Sequence, residues 1–464
     1  MIAIDAALEP VRLLPSIDLL FELSGPKILA LNTIGLEQGG APVYTVGGRY
    51  TSRGWTEWTQ GFQFGSALLQ FEATGDRKYL TIGTEGIVNH MATHVSHVGV
   101  HDHGFNNIST YGNLLRLIRD GLLPCDDWQV KFCELGLKLS GAIQAARWTS
   151  LPDKLGFIYS FNGPHSLFVD TMRSLRVLAV AHKLGHVLMG EQDRPICLLE
   201  RLIQHAETTA RYSIYFGEGR DFYDVCGRTA HESIFNISNG SYRCPSTQQG
   251  YSPFSTWTRG LAWAVLGFAE QLEFLDSLPE ERFLGLQAGN LAGKAAFLKR
   301  FLSTAQAVAD FYIRHSPSDG IPYWDTGAPG LVHMSDYLSR PANPFNEFEP
   351  VDSSAASIAA QGLLRLGRYL SQSSGETAGA QYVQAGLTVA KALFDDPYIA
   401  RDPEHQGLIL HSLYHRPNAW DHIPGGSAIP SGEATLWGDY HARELGVYIK
   451  KLAANQYHTF WSGV

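Results

Sequence analysis

Two aspartates lie where the chain could use a carboxyl group as an acid or a base. Asp102 stands between two histidines just before Gly104, and Asp170 opens an otherwise apolar helical segment, between LFV and TMRSL. A carboxyl group on an apolar face either caps a helix or has a raised pKa that suits it to proton transfer. For each aspartate alone, capping is the simpler interpretation. If both faced one cleft, one would keep its proton near neutral pH and could act as a general acid.

Five of the 18 histidines fall within the sixteen residues HMATHVSHVGVHDHGF at 90–105. Four of them recur at helical spacing: His90, His94, His97 and His101. Such a stack suits a metal ion, but Gly99 interrupts the helix, and the third ligand and general-base glutamate of an H-E-x-x-H site are missing. We therefore expect no metal. Residues 90–97 are predicted to end an outer helix with partly exposed histidines, and 101–105 to form a turn that presents His101 and the next aspartate to a cleft. The role of His103 stays open.

The segment QGYSPFSTWTRGLAW holds a second set of candidate binding residues. Arg259 and Trp263 are four residues apart and lie on one helical face, which offers a guanidinium for a carboxylate and an indole for stacking. The segment is too apolar for a solvent-exposed helix face. His231 is a further polar residue without an obvious structural role, although a single histidine is more often a satisfied core residue.

The overall composition excludes several classes of partner. The net charge is −9 and no segment is rich in Lys and Arg, which argues against nucleic acid. No run approaches 18 apolar residues, so we expect no transmembrane helix and no membrane partner. The five cysteines are scattered and odd in number, which argues against a disulfide framework. With no visible signal peptide, they favour a cytoplasmic location, or a periplasmic one if a signal has been removed.

Long parts of the chain have helical periodicity, and alternating strand patterns are scarce. The best strand candidates, 213–227 and 231–243, predict a short β excursion in an otherwise all-α fold. Six helical segments open with polar or aromatic residues and continue as small apolar surface; the openings are WTQG at 58, HDHG at 101, DTM at 170, WTRG at 257, DSS at 352 and WGDY at 437. Six such helices, each with an outer partner, predict an (α/α)6 barrel with the openings at one mouth. An ordinary helical array with polar N-caps is the alternative.

The linkers do not divide the chain into compositionally different halves. Two Pro/Gly-rich segments, 317–330 and 340–352, lie between helices. We therefore predict a single catalytic domain over residues 1–464. The glycine-bearing loop 423–440, which leads into the last helix, is predicted to form a rim or lid.

Six segments resemble, in order, the landmarks of the unsaturated glucuronyl hydrolases of glycoside hydrolase family 88. These segments are HDHGF, FVDTMRSL, QGYSPFSTWTRGLAW, YWD, DSSAASIAAQGLLRL and LWGDY. The resemblance runs from about residue 55 to about residue 450, and STWTRG-x-AW and DSSA-x-x-I-A are its most specific blocks. The related unsaturated rhamnogalacturonyl hydrolases resemble this chain less in the STWTRG-x-AW block.

The resemblance implies an (α/α)6 barrel and an unusual reaction that needs no cofactor. The implied substrate is an oligosaccharide left by a polysaccharide lyase, with a C4=C5 double bond in its non-reducing-end uronate. Water is added across this enol ether, and the resulting hemiketal collapses, which opens the ring and releases the remaining sugar. One aspartic acid protonates C4 and, as a carboxylate, takes a proton from the water that attacks C5.

The resemblance also implies roles for individual residues. Asp170 matches the general acid/base, and Asp102 matches its partner aspartate. The implied substrate-binding residues are Trp58, His101, His231, Gln249, Arg259 and Trp263. Trp58 matches an aromatic wall residue, and His231 and Gln249 match residues near the attacking water. Arg259 is expected to have the strongest influence on the substrate carboxylate or on nearby polar groups.

The sequence departs from the family pattern at several positions near the sugar subsites. Gln63 stands where the family usually has a tryptophan, and Tyr159 or Phe161 replaces the tryptophan ahead of the catalytic aspartate. Ser174 replaces an asparagine one turn after that aspartate. These departures leave the identity of the substrate open while the fold is unaffected.

Other functions on the same barrel remain alternatives. A sugar epimerase or isomerase would use His101 and His231 as its acid and base, and a hydrolase of saturated uronides is also compatible with the fold. A protein that only binds carbohydrate would need neither Asp102 nor Asp170. No clear Ser-x-x-Ser-x-Lys pattern, of the kind associated with sulfated fragments, occurs in 423–437. The sequence does not indicate an oligomeric state.

Overall fold

The structure, a computed structural model, describes residues 1–38, 40–124, 127–375 and 377–463. The α-helices in chain order are α1 (Leu14–Gln38), α2 (Gln60–Thr74), α3 (Arg77–His90), α4 (Ala92–Val95), α5 (His103–Asn107), α6 (Asn113–Arg119), α7 (Asp127–Ala146), α8 (Thr171–Ser174), α9 (Arg176–Lys183), α10 (Leu198–Tyr212), α11 (Thr258–Asp276), α12 (Lys294–His315), α13 (Ser353–Ser374), α14 (Ala380–Leu393) and α15 (Leu436–Ala453). A π-helical turn, Ile108–Gly112, joins α5 to α6.

The strands are short and lie in small antiparallel sheets. They are β1 (Pro42–Val46), β2 (Arg49–Ser52), β3 (Trp148–Ser150), β4 (Gly156–Ile158), β5 (Ser166–Phe168), β6 (Leu188–Met189), β7 (Pro195–Ile196), β8 (Glu232–Phe235), β9 (Tyr242–Ser246), β10 (Gln287–Ala288) and β11 (Leu291–Ala292). Within the part of the chain that the structure describes, four two-stranded sheets pair β1 with β2, β3 with β4, β6 with β7 and β10 with β11, and one three-stranded sheet has the order β5-β8-β9.

Six inner helical segments form a closed ring. In chain order they are α2, the run α5–α6, the run α8–α9, α11, α13 and α15; neighbours contact each other, and α15 closes the ring on α2. Each inner segment contacts an outer helix as well, namely α3, α7, α10, α12, α14 and α1 in the same order. The inner segments begin next to the six polar or aromatic openings in the sequence, so the predicted (α/α)6 barrel is confirmed.

Small residues allow the inner helices to pack closely. A Cβ atom on Gly362 of α13 would lie 2.7 Å from the backbone of Leu266 on α11. On the other side of α11, a Cβ on Gly267 would lie 2.7 Å from the backbone of Met172 on α8. Glycine is therefore required at both contacts, because any larger residue would push adjacent inner helices apart.

A buried ion network joins four inner segments within the ring. Its members are three arginines and three glutamates: Arg173, Arg176, Arg365, Glu270, Glu273 and Glu444. Arg173 lies between Glu270 and Glu444, with 2.5 Å from its Nη2 to Glu444 Oε2, and Arg365 Nη1 lies 2.8 Å from Glu273 Oε2. The formal charges of the three arginines and three glutamates cancel, which offsets the cost of burying them.

The predicted β excursion is present only in its second half. β8 and the start of β9 lie within 231–243 and pair with each other, and β8 also pairs with β5, which the sequence did not indicate. In 213–227 the strand prediction is wrong, since its pairing is limited to one isolated bridge between Ile214 and Thr229. The reason is local: the Asp224 carboxylate accepts hydrogen bonds from the backbone N–H groups of Gly217, Glu218 and Arg220, which folds the segment into a loop.

Within the described ranges, none of the helices combines the length and the apolar character needed to cross a membrane.

Candidate active site

A cavity of about 470 Å³ lies beside the starts of the inner helices α2, α5, α8 and α11. Seven of the eight site residues predicted from the sequence line it: Trp58, His101, Asp102, Asp170, Gln249, Arg259 and Trp263. The eighth, His231, is buried against it, with Nε2 3.9 Å from Asp170 Oδ1. The structure therefore brings all eight residues together.

Local backbone pairing brings Asp170 close to His231. Only Val169 separates Asp170 from β5, and β5 pairs with β8, which starts one residue after His231. The ladder continues with a hydrogen bond of 3.0 Å from the Val169 N–H to the His231 carbonyl. Because this register places Val169 opposite His231, it brings the next residue, Asp170, close to the imidazole.

Ser174 ties the helix of Asp170 to the turn that carries His101 and Asp102. Its Oγ donates to the His101 carbonyl and accepts from the Gly104 N–H, both at 2.9 Å. A side chain on Gly104 would collide with the Ser174 carbonyl, so the close approach requires glycine there. The serine that departs from the family pattern thus positions the two aspartate-bearing segments relative to each other.

Asp170 lies between two imidazoles in a buried environment. His101 Nε2 is 4.0 Å from its Oδ2, and His231 Nε2 is 3.9 Å from its Oδ1. Burial raises the pKa of Asp170 to about 6; the neighbouring His101 opposes this shift, and the nearby Asp102 adds to it. A carboxyl group with this pKa can hold a proton or release it near neutral pH, as general acid/base catalysis requires.

Both imidazoles are neutral at pH 7, because burial lowers the pKa of His101 to about 4 and that of His231 to about 3. The backbone N–H groups of Gln248 and Gln249 point at His231 Nδ1, at 3.1 and 3.4 Å. Nδ1 is therefore the acceptor and Nε2 carries the hydrogen. His231 thus presents an N–H donor towards Asp170.

Asp102 is a second carboxyl group beside the same imidazole. Its Oδ1 lies 3.7 Å from His101 Nε2. Burial raises the pKa of Asp102 to about 7, and the charges of Arg147 and His97 only partly oppose it. Both aspartates thus favour the protonated form more than a solvated aspartate does, as close buried carboxyl groups should.

Arg259 is engaged almost entirely with the protein. Its Nη1 donates to Asp352 Oδ2 at 2.8 Å and to the Leu413 carbonyl, and its Nη2 donates to Gln249 Oε1 at 2.9 Å and to the Tyr414 carbonyl at 2.7 Å. All four Nη hydrogens are used, and the charge is paired with Asp352. The bond to Gln249 fixes the amide oxygen of that side chain as the acceptor, so its NH2 group is left as a donor.

Aromatic rings form one wall of the cavity. Trp58 stacks on Trp437 with ring centroids 4.9 Å apart, and its edge meets Phe105 at 5.7 Å. Trp263 packs against Phe105 at 4.9 Å. Flat aromatic surfaces of this kind bind the apolar faces of sugar rings.

Part of the cavity wall comes from residues that the sequence did not single out. They are Arg53 and Glu57 ahead of α2, and Tyr414, His415, Asn418 and Trp420 in the loop ahead of α15. The last four of these residues lie just before residues 423–440, the loop that was predicted to form a rim or lid. In the sequence, only its composition marks this segment, YHRPNAWD: it is rich in ring-bearing side chains but has neither helical nor strand periodicity.

The two candidates for the residue that replaces the tryptophan ahead of Asp170 lie in different surroundings. Phe161 lines the cavity, whereas Tyr159 lies under the guanidinium of Arg147 at 4.2 Å. Gln63 lies against a different cavity of about 400 Å³, together with Phe64 and His90. Of these positions, Phe161 is therefore the one that contributes to the candidate site.

The histidine cluster is divided among α3, α4, α5 and the turns between them, and one expectation for it is wrong. α3 ends at the exposed His90, but His94 is buried, not partly exposed. Its Nε2 donates to Gln60 Oε1 at 2.7 Å and its Nδ1 accepts from Asn106 at 3.1 Å. His103 is also structural, because it bonds to Ser140 Oγ and to the His97 carbonyl, both at 2.9 Å. Among the described residues, no group of three or more His, Cys, Asp or Glu side chains is arranged to hold a metal ion.

Comparison with known proteins finds relatives that align with most of the chain. No profile of a known protein family matches it. It is 28% identical over 403 residues to the unsaturated glucuronyl hydrolase of Bacillus sp. (strain GL1), over 84% of this chain and 85% of that protein. It is 25% identical over 391 residues to the unsaturated glucuronyl hydrolase of Formosa agariphila, over 84% and 78% of the two chains.

The fold agrees with a solved relative. The crystal structure of the unsaturated glucuronyl hydrolase from Bacillus sp. GL1 superposes with a TM-score of 0.66 at 22% identity, over 95% of this chain and 98% of that chain. The likeness spans the whole ring of helices. The resemblance noted in the sequence is thus confirmed: along most of its length this chain is similar to the unsaturated glucuronyl hydrolases, and it has their (α/α)6 fold.

Proposed function

We propose that this protein is an unsaturated glucuronyl hydrolase, a glycoside hydrolase that acts on the unsaturated oligosaccharides left by polysaccharide lyases. The observation that carries the proposal is the buried Asp170 carboxyl, which has a pKa of about 6 and lies between two neutral imidazoles in the cavity at the mouth of the barrel. The curated relatives bear the name of this activity, and the Bacillus enzyme is described as responsible for the degradation of glycosaminoglycan.

Asp170 acts first as an acid and then as a base. Its protonated carboxyl gives a proton to C4 of the unsaturated uronate, so positive charge develops at C5 and the ring oxygen. The carboxylate that results takes a proton from the water that bonds to C5. The hemiketal formed at C5 then collapses, which opens the ring and releases the remaining sugar. Asp170 ends protonated and ready for the next turnover.

The neighbours of Asp170 orient the water and the sugar. His231, with its hydrogen on Nε2, donates towards the side of Asp170 where the water is activated, and the NH2 group of Gln249 supplies a second donor. Arg259 acts through Gln249, because its own Nη hydrogens are already used. Burial keeps the pKa of Asp170 high, and the neighbouring Asp102 adds to this effect. Trp58 and Trp263 hold the sugar faces.

The protonation states favour hydration over epimerisation. An epimerase or isomerase would need one of His101 and His231 as an imidazolium acid at neutral pH. The pKa values of about 4 and about 3 leave both neutral there. The groups that hold a proton near neutral pH are instead carboxyl groups, those of Asp170 and Asp102.

The test is the ultraviolet absorbance of the C4=C5 uronate. Unsaturated disaccharides produced by lyases from several polysaccharides should lose this absorbance on incubation with the protein, with one reducing sugar released per double bond consumed. The saturated counterparts should remain intact. Cleavage or epimerisation of saturated uronides, with no loss of absorbance from any unsaturated disaccharide, would refute the proposal.

The pH dependence should report the proton on Asp170. We expect kcat/KM to fall about tenfold per pH unit once the pH rises above the pKa of about 6, because the reactive form is protonated. Asp102→Asn should move this descending limb only slightly to lower pH, since Asp102 adds to the pKa of Asp170 but is itself mostly protonated near pH 6, with a pKa of about 7. Initial rates between pH 4.5 and pH 9, at about unit steps, measure both effects. An activity that rises through pH 8 would mean that the carboxylate is the starting form.

The proposal also covers domain organisation and location. Residues 1–464 form one catalytic domain, in keeping with a hydrophobic core that extends from Ile2 to Trp461. The cytoplasm is the proposed compartment, in keeping with the free thiols of Cys133, Cys197, Cys226 and Cys244.

A further inference from the structure

The cavity contains more carboxyl groups than arginines, which is unexpected for a site that takes an anionic sugar. Three carboxyl groups line it, from Glu57, Asp102 and Asp170. The lining histidines do not offset them: the pKa of His101 and that of His415 are each lowered to about 4 by burial, so both are neutral at pH 7. An anionic substrate therefore needs a cation, and the lining residues that supply one are Arg53 and Arg259.

Arg259 is not available for this purpose. Its charge is paired with Asp352 at 2.8 Å, and its four Nη hydrogens are donated to protein oxygens. Redirecting these bonds to a substrate would leave the buried Asp352 carboxylate without its partner, which is costly. The cation that remains is Arg53.

Arg53 is held flat at the edge of the cavity by aromatic rings. It follows β2, and its guanidinium lies 4.1 Å from the ring centroid of Trp420 and 5.5 Å from that of Tyr44. Its Nη2 donates to Tyr44 Oη at 2.9 Å, its single hydrogen bond within the described residues. No carboxylate of those residues lies within ion-pair distance of it. Four of its five N–H groups are thus available, in the planar geometry that binds two oxygens of an anion at once.

The loop that carries Trp420 is fixed from within. The Asp421 carboxylate accepts the N–H groups of Tyr414 and His415, and the Trp420 ring packs on both of their rings. The position of the Trp420 ring is therefore fixed, and the guanidinium of Arg53 stacks on it. Stacking on an aromatic face leaves the edge of the guanidinium, where the donors lie, free to bind a ligand.

We propose that Arg53, supported by Trp420, is the anion-binding residue of this cavity and selects substrates that carry a negatively charged oxygen group. This proposal rests on the proposed function. The group is either the carboxylate of the unsaturated uronate or a sulfate on the adjoining sugar, and both offer the same pair of anionic oxygens.

The test compares Arg53→Met with the wild-type protein on two substrates, the unsaturated disaccharide ΔGlcA–GalNAc and its 6-sulfated form. We expect KM to rise about tenfold with kcat changed by less than about twofold, because a charge-assisted contact outside the reacting atoms is lost. Arg53→Lys should recover part of the loss, since it keeps the charge but not the planar pair of donors. The salt dependence of KM should weaken in Arg53→Met, which a purely structural role would not cause.

Arg49→Met is the matched control. Arg49 lies on the same hairpin and is exposed, and its nearest carboxylate is Glu404 at 3.8 Å, outside the cavity. Its KM should stay within about twofold of the wild-type value. A KM increase on both substrates assigns the uronate carboxylate to Arg53, and an increase on the sulfated form alone assigns the sulfate. An unchanged KM, or a lowered kcat at constant KM, would overturn the proposal.

A binding measurement separates this proposal from the proposed function. Calorimetry with the same disaccharides, on Asp170→Asn with and without Arg53→Met, needs no turnover. Binding that is about tenfold weaker without Arg53 supports the anion site even if the wild-type protein consumes neither disaccharide, an outcome that would count against the proposed activity alone. Equal binding with and without Arg53 excludes the site.

Discussion

Asp170→Asn is expected to lower kcat by about 10³- to 10⁴-fold on the preferred unsaturated disaccharide, with KM changed by less than about threefold. The amide has the shape of the carboxyl group but cannot give a proton to C4 or take one from water. Both steps use this one group, so the loss should lie at the upper end of what a single general acid/base contributes. Initial rates of the loss of ultraviolet absorbance measure it.

The stability of this variant separates a chemical loss from a folding defect. Burial raises the pKa of Asp170 from 3.8 to about 6, so the folded state binds its proton more tightly than the unfolded state does. The carboxyl group therefore costs stability as the pH rises from about 4 to about 6, and the full cost is present above that. Asp170→Asn should melt at the same or a higher temperature than the wild-type protein at pH 8, and should have no such advantage at pH 4.

Asp102→Asn is the matched comparison, because it alters the other buried carboxyl group beside His101. It should retain much more activity than Asp170→Asn, since Asp102 acts on the pKa of Asp170 and not on the substrate double bond. If Asp102→Asn abolished turnover while Asp170→Asn remained active, the assignment of the acid would be reversed.

Glu270→Ala is expected to lower the free energy of unfolding by about 3–5 kcal/mol. Glu270 is fully buried, and Arg173, Arg176 and Arg365 all lie within ion-pair distance of it. Removing this carboxylate leaves three buried guanidinium groups with two glutamates, Glu273 and Glu444. An uncompensated buried charge is far more costly than the net value of the pair that was broken. Denaturation by urea, followed by tryptophan fluorescence, measures the change.

A surface ion pair provides the control for this prediction. Asp18 pairs with Lys450 at 3.0 Å, with 67% and 34% of the two side chains exposed. Asp18→Ala should cost less than about 1 kcal/mol, because solvent screens the pair. A loss for Glu270→Ala as small as that for Asp18→Ala would mean that water enters the network and compensates the arginines.

The barrel and most of its site were predictable because their signals are local in the sequence. A polar or aromatic opening followed by small apolar residues marks an inner helix, as at Asp352 ahead of α13 or Trp257 ahead of α11. Since every inner helix of the ring starts at the same end of the barrel, the residues that open these helices are expected to lie close together. His231 lies ahead of a strand and was placed by the family resemblance instead.

What the sequence did not indicate depends on contacts between distant segments. Arg53 and Trp420 are separated by more than 360 residues and meet only because α15 closes the ring beside α2. Neither lies in a periodic segment. Helical spacing predicted that His94 would be exposed like His90, but α3 ends at His90. His94 instead forms a hydrogen bond to Gln60, which lies on the inner helix α2. The loop at 217–227 formed because Asp224 binds backbone groups that a strand would have paired.

The common orientation of the inner helices has an electrostatic consequence. Each helix carries a partial positive charge of about half a unit at its N-terminus, from N–H groups that no earlier turn accepts. Two of the inner helices, α2 and α11, contain four or more turns and begin beside the cavity, which is lined by Trp58 just ahead of α2 and by Arg259 in the first turn of α11. The backbone thus contributes a positive local field at the mouth of a chain whose net charge is −9. An acidic protein can in this way draw an acidic sugar towards its carboxyl groups.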